Sequence, residues 1–288
     1  MKKLNPVIDE FRKLGLIKIK NLSIIANTCR DQKVKVLKDN NSKIILLEQH
    51  LVDNNHYTND RNFSKKQLKK YLENSVDDEK RREVYFSKFF KKKSILDFGC
   101  EFGTFLNRIK CFNKCGVELN LRCLQYIKNN FKDIQAVDDL KKIKNKFDTI
   151  TMFHVLEHMP RQVEILKKLK KKLIKGGNLI VEIPSANDFL LSIDDLKIFK
   201  SFTFWSEHLV LHTHLSLKKV LKKAGFRKIK IIHYQRYNLN NHLRWFLQKK
   251  PQGHKFLNQK FNSKILNEYD NFLSRSQTTD TLIGIATN

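Results

Sequence analysis

The residues best suited to chemistry lie in one stretch, Ser94-Ile95-Leu96-Asp97-Phe98-Gly99-Cys100-Glu101-Phe102-Gly103-Thr104-Phe105-Leu106. An apolar run ends in the acid Asp97. Gly99 and Gly103 follow, then an apolar, helix-like stretch. This reads as a strand, a tight turn and a helix N-terminus, where bare backbone lets a nucleotide-like cofactor come close. The next apolar run, Cys115-Gly116-Val117-Glu118-Leu119, places Glu118 about 20 residues further on, where a second strand offers an acid to a ribose diol. A dinucleotide site would show G-x-G-x-x-G, whereas the pattern here is D-x-G-x-x-x-G.

Histidines are the groups suited to moving a proton. His154 follows the strand-like run Phe147–Phe153, and His158 comes one helical turn later, beside Glu157. A histidine near its ordinary pKa of about 6.5 is a suitable base at neutral pH, and either ring could equally fix and pack its loop. His208, His212 and His214 lack the carboxylate or cysteine spacing of a zinc site, and the five cysteines form no C-x-x-C pair. No metal site is expected, and the thiols are expected to be reduced.

The ordered motifs resemble those of class I S-adenosylmethionine (SAM)-dependent methyltransferases. The family's first motif, D-x-G-C-G-x-G, is matched by Asp97 to Gly103 with Glu101 in place of the middle glycine. Phe147-Asp148-Thr149-Ile150-Thr151-Met152-Phe153-His154-Val155-Leu156-Glu157-His158, Lys175-Gly176-Gly177-Asn178-Leu179-Ile180-Val181-Glu182-Ile183-Pro184, and Leu217 through Ala224-Gly225-Phe226 continue the likeness in order. The resemblance covers most of the chain from about Tyr85 and includes the ubiquinone-biosynthesis branch, in which acids near the His154 loop support a divalent metal. It implies SAM as cofactor. Asp97 would hold its amino-acid end and Glu118 its ribose, with Gly99, Gly103, Leu119, Asp138 and Phe153 as further contacts. Asp138 or its neighbour Asp139 would face the adenine amine or cap a helix. His154, His158 and His208 are then the base candidates. Trp205, Arg236, Asn241 and His242 are candidates for holding the acceptor.

These residues need a frame. Strand and helix signals alternate from Ser94 to Ile183: Ser94–Phe98, a helix from Thr104, Gly116–Leu119, a helix Leu121–Asn130, Ile134–Val137, Phe147–Phe153, a helix near Arg161–Leu173, and Asn178–Ile183. That pattern predicts a parallel sheet covered by helices, a Rossmann-like α/β fold. A charged helix is expected from Asp77 to Phe90, and another around Leu217–Ala224, capped by Thr213 and closed by Gly225. Arg227–Tyr234 and Thr281–Thr287 alternate like strands. The resemblance makes them the last two of seven, with the seventh antiparallel. The chain between them, 237–277, is then a helical insertion, long for a connection in a compact domain. Its Arg236–Trp245 and Lys250–His254 segments resemble a tail found in enzymes of surface-polysaccharide and sugar pathways.

Upstream, residues 1–75 read as a small β-rich accessory region before a methyltransferase domain at 76–288. Lys33–Leu37 and Lys43–Leu47 flank the turn signal Asp39-Asn40-Asn41-Ser42, a hairpin pattern. Asn54–Ser64 is polar and reads as a loop. The family often carries a zinc ribbon here, but Cys29 stands alone.

Composition narrows the function classes. No stretch reaches the roughly 18 apolar residues of a membrane span, and Met1–Pro6 lacks a signal-peptide core, so a cytoplasmic protein is expected. The net charge of +28 suggests a polyanionic partner, but lysine far outnumbers arginine and fills the solvated faces of helices such as Ile165–Ile174. Specific nucleic-acid recognition is therefore not expected. The leading expectation is methyl transfer to a small acceptor such as a sugar, nucleotide-sugar or surface-glycan precursor, glycosyl or phosphorylated. The alternatives are an RNA or DNA methyltransferase, which would usually show N-P-P-Y where Phe153-His154-Val155-Leu156 stands, and an inactive binding subunit of the same fold.

Overall fold

The computed structural model describes residues 4–52, 54–59, 63–253 and 261–288. The chain begins with α1 (Pro6–Lys13) and continues through strands β1 (Leu22–Ala26), β2 (Val36–Asp39) and β3 (Ile45–Leu47). Helices α2 (Asn54–Asn59), α3 (Lys65–Tyr85) and α4 (Ser87–Phe90) follow. Then come β4 (Ser94–Phe98), α5 (Thr104–Arg108), β5 (Asn113–Val117), α6 (Leu121–Asn130), β6 (Ile134–Val137), β7 (Phe147–Phe153), α7 (Gln162–Lys171) and β8 (Leu173–Pro184). The last part holds α8 (Lys197–Thr203), β9 (Val210–Leu211), α9 (His214–Lys223), β10 (Arg227–Tyr234), α10 (Leu239–Gln248), α11 (Ser263–Arg275) and β11 (Thr281–Thr287).

Seven strands form the expected sheet in the order β10-β11-β8-β7-β4-β5-β6. The five from β8 to β6 run parallel, and β11 lies antiparallel between β8 and β10. The central strands read as continuous apolar runs because helices cover both faces: Ile95, Leu96, Ile150, Met152, Leu179, Ile180 and Val181 are fully buried. The chain reverses strand order between β4 and β7, and the carboxyl ends of both strands open onto the same edge, where ligands of such sheets bind.

Local chemistry explains several element ends. Thr213 and Ser216 cap α9 reciprocally, and Gly225, at φ +91°, closes it. The hairpin of β2 and β3 pairs Val36 with Leu47; Asp39 anchors its turn by accepting the backbone N–H groups of Asn41 and Ser42. Other expectations shift. Asn54–Asn59 is helical rather than loop. The charged helix starts at Lys65, where Ser64 and Gln67 form a capping box, and it breaks at Phe86 instead of running to Phe90. The second strand ends at Val117, and the Glu118 carboxylate beyond it accepts the N–H groups of Asn120 and of Glu101 in the turn after β4.

The first residues are woven into the rest. β9 adds to β3, completing a four-stranded antiparallel sheet, β1-β2-β3-β9. Val7, Ile8 and Phe11 of α1 lie in the main core with strand residues of the large sheet. Asn5 fastens this junction. It is fully buried, caps α1 through Val7 N–H, and donates from Nδ2 to the carbonyls of Leu47 and Leu209, both at 2.8 Å. Asn5→Ala removes the cap and leaves two buried carbonyls unpaired, so urea unfolding should show a loss of about 2–4 kcal/mol.

Candidate active site

A cleft of about 1880 Å³ opens along the carboxyl ends of the parallel strands. Every site residue expected from the sequence lines it except Gly103. Gly103 sits at the N-cap of α5 at φ +70°, and a Cβ there would come within 2.9 Å of Ile127. It lets α5 and α6 pack closely and does not face the cleft. Gly99, at φ +82°, does line the cleft, but a Cβ on it would first meet Val155, at 2.4 Å.

One end of the cleft is acidic. Asp97, at the end of β4, is buried and accepts the hydroxyl of Thr151 at 2.6 Å. Burial pushes its pKa up to about 7, against the Thr151 bond and Arg82, and Glu101 and Glu118 add to the rise. Glu118 accepts backbone N–H groups from Glu101 and Asn120. Glu101 takes the place of a glycine at φ +47°, a conformation that costs a side chain energy. Its carboxylate is turned aside to accept the Tyr71 hydroxyl at 2.7 and 2.8 Å. Three carboxylates facing one cavity suit a ligand with a cationic end, as SAM has. Beyond them Asp139 caps a short turn through Lys141 N–H, while Asp138 pairs with Lys142. Leu119 is exposed on the wall, and Phe153 is packed between Phe86 and Phe105 with Arg82 over its ring.

A charged seam crosses the middle of the cleft. Glu182, near the end of β8, is fully buried and accepts four hydrogen bonds, two from Arg81 and two from Arg82. Burial alone would raise its pKa, but the two arginines and His154 hold it well below the carboxylate range. Arg236, beyond β10, forms a two-pronged pair with Asp78 of α3. Burial opposes the Asp78 charge, yet Arg236, Arg82 and Arg81 hold its pKa down to about 2. His154 lies between these pairs at φ +55°. Its Nδ1 is 3.2 Å from Glu157, and its Nε2 is 3.2 Å from Arg236 and 3.4 Å from Glu182. Burial works against its charge, but the bonds to Glu157 and Glu182 prevail and raise its pKa. With both nitrogens engaged, His154 is placed to hold the loop and poorly placed to accept a proton from a third group.

The far wall differs. His158 approaches Tyr57 Oη at 3.4 Å and Glu207 at 3.7 Å, and its ring meets His208 edge-on. Burial, reinforced by His158, lowers the His208 pKa to about 3, so its ring is neutral, and its buried Nδ1 has no hydrogen-bond partner among the described residues. One Glu157 oxygen is likewise buried and unpaired among the described residues. Among the described residues, Glu157, His158 and His208 bring ligand atoms within 4.8 Å of one another and could hold a metal ion. His212 and His214 lie elsewhere: His212 is buried beside Phe11 and Ser216, and His214 stacks on His233. Trp205 contacts His208. Asn241 accepts Gly253 N–H, and His242 bonds to Tyr269 and Gln235. His254 lies outside the described residues.

Sequence reasoning missed Asp78, Arg81, Arg82 and Glu182. A charged residue inside the apolar run Leu179–Ile183 was the available signal, since a buried strand carboxylate must be paired. The arginines sit in a uniformly charged helix and carry no such mark.

The family described as a methyltransferase domain matches residues 46–231. An uncharacterized protein of Methanocaldococcus jannaschii is 31% identical over 121 residues, 40% of this chain and 53% of that protein. The tRNA U34 carboxymethyltransferase of Nautilia profundicola is 28% identical over 157 residues, 49% of this chain and 50% of that protein. The chain thus spans about half the length of these curated relatives. Among solved structures, a SAM-dependent methyltransferase from Archaeoglobus fulgidus aligns with a TM-score of 0.50 at 19% identity, covering 73% of this chain and 92% of that one. At that identity the likeness is one of fold.

Glu182→Gln removes the carboxylate that Arg81 and Arg82 share and, among the described residues, leaves Arg82 without an ion-pair partner while Arg81 keeps Asp78. Denaturant unfolding at neutral pH should show a loss of about 3–5 kcal/mol. Because the folded pKa of Glu182 is depressed, its contribution is present above the ordinary value of 4.5 and is lost as pH falls below it. Wild type should therefore lose more stability than the variant on acidification from there.

Proposed function

The chain belongs to the methyltransferase-domain family, whose cofactor is SAM, and we propose that it transfers the methyl group to a small hydroxyl- or amine-bearing acceptor, such as a sugar, nucleotide-sugar or surface-glycan precursor. One observation carries this reading: the acidic end of the cleft continues, past His154, into a bay walled by Trp205, Tyr237, Phe199, Phe202 and Trp245. The bay suits a ring-sized ligand and lies under the insertion.

In this reading Asp97 holds the cofactor's ammonium group and Glu118 its ribose, with Gly99, Leu119, Asp138 and Phe153 along the same wall. When bound, SAM supplies a methyl activated by its sulfonium. The protein contributes alignment, since reacting atoms must be held about 3–3.5 Å apart. His154, fixed by Glu157, Glu182 and Arg236, sets the floor of that alignment. His158 is the better-placed proton acceptor, and His208, whose ring meets it edge-on, holds that ring in position. Trp205, Arg236, Asn241 and His242 bound the acceptor side.

A second reading has one specific support. A curated relative is named as a tRNA-modifying enzyme, and Lys141, Lys144, Lys146 and Lys171 line an outer stretch of the cleft that suits phosphates. Side-by-side turnover with unmodified tRNA and with a nucleotide-sugar panel separates the two. Methylation of tRNA alone would replace the small-acceptor reading.

Two results are expected for the cofactor. Calorimetry should detect binding of S-adenosylhomocysteine, and Gly99→Val should abolish it by driving Val155 into the site. Because the ammonium requires ionised Asp97, and that group ionises around pH 7, affinity should rise between pH 6 and 8. Asp97→Asn should bind weakly with no such rise. For the acceptor, His208→Ala should keep cofactor affinity and reduce turnover about tenfold by loosening His158. Full turnover in that variant would remove His208 from the chemistry.

A further inference from the structure

Helix α10 has two distinct faces. Asn241, His242 and Trp245 are buried and line the cleft. Leu239, Leu243, Phe246 and Leu247, at i, i+4, i+7 and i+8, form an apolar stripe on another side of the helix. Leu247 is 76% exposed and Phe246 37% exposed, and Leu239 and Leu243 are half-buried. None of the four belongs to a buried hydrophobic cluster of the described residues.

The charge beside this stripe has one sign. From Tyr237 to Asn267 the sequence holds no Asp or Glu. Arg244 lies within the helix, and Lys249 and Lys250 stand exposed at its end. α11, which packs on α10, begins with the exposed pair Lys264 and Ile265. An ordinary lysine-rich face of this chain looks different. The exposed positions of α7 are Glu164, Lys167, Lys168 and Lys171, which mix both signs and include no apolar residue.

The occupant follows from this chemistry. A second copy would bring the same cations to a symmetric contact, between chains that each carry +28. Nucleic acid would pair with the cations and leave the leucines without a partner, since bases stack on aromatic rings. An anionic lipid surface meets both needs, with headgroups for the cations and the acyl boundary for the stripe. Among the described residues no helix is long and apolar enough to cross a membrane, so the contact is one of lying on the surface.

We propose that the outer face of α10 docks the protein on an anionic lipid surface. The opposite side of the same helix walls the cleft, so docking holds that end of the cleft about one helix diameter, ~10 Å, from the lipid. The proposal does not depend on which acceptor the cleft takes.

The test is flotation of the full chain with phosphatidylcholine vesicles, with and without phosphatidylglycerol as the anionic lipid. Wild type should bind the anionic vesicles about tenfold or more tightly than the neutral ones. Phe246→Ser with Leu247→Ser should weaken that binding about tenfold, and Lys249→Glu with Lys250→Glu about fivefold or more. Lys222→Glu with Lys223→Glu makes the same charge change at exposed positions of α9 and should alter it less than about twofold. All six positions are exposed, so each variant should keep the wild-type unfolding midpoint. Equal affinity for the two vesicle types, no binding, an unaltered Phe246→Ser, Leu247→Ser variant, or an α9 pair as damaging as the α10 pair would overturn the proposal. So would sedimentation showing a dimer that the Phe246→Ser, Leu247→Ser variant loses, since that gives the stripe to a second copy.

Discussion

The buried carboxylate of Glu182 is the constraint around which the site is built. A charge with no access to water must be paired and hydrogen-bonded in full. Here that requirement draws Arg81 and Arg82 of α3 across the carboxyl edge of the sheet, and it places His154 within reach of the same oxygen. Asp78, a turn earlier on α3, then clamps Arg236 from beyond β10. A helix before the first parallel strand and a residue after the sixth strand in sequence are thus fixed to one point. The arrangement specifies geometry more than it adds stability, since desolvating so many charges offsets much of their attraction.

Two non-glycine residues with positive φ flank this seam. Glu101 and His154 each occupy a backbone region that side chains enter at a cost, and each is held there by side-chain bonds, Glu101 by Tyr71 and His154 by Glu157. Strain of this kind persists only where surroundings over-determine it. Tyr71 belongs to α3 as well, and Glu79 of the same helix accepts the Thr104 hydroxyl at 2.5 Å. One helix therefore touches the turn after β4, the β8 end and the segment after β10. The cleft depends on α3 as much as on the strands.

Charge is distributed by a related logic. Lysines crowd solvated helix faces, where water screens them, and give the chain its large positive sum. The cleft mixes the signs, with Asp97, Glu101 and Glu118 along one stretch and Arg81, Arg82 and Arg236 paired to buried carboxylates in another. A whole-chain charge therefore says little about the ligands of a concave site. Acids inside it face low-dielectric surroundings, where their effect is larger than that of the more numerous exposed lysines.

The sequence by itself determined the frame. Ser94–Phe98, Leu121–Asn130, Ile134–Val137, Phe147–Phe153, Arg227–Tyr234 and Thr281–Thr287 were readable to the residue, because each is a local apolar run bounded by turn chemistry. Asp97, Gly99 and Glu118 could be placed at strand ends for the same reason. Tertiary structure alone decided the rest. It showed Gly103 to be a packing glycine, engaged both nitrogens of His154, left the Nδ1 of His208 unpaired among the described residues, and brought Asp78, Arg81 and Arg82 to residues about 100 or more positions away. Charged residues on a charged helix look alike in sequence. Which of them turns inward depends on a partner elsewhere in the chain, and periodicity carries no information about partners.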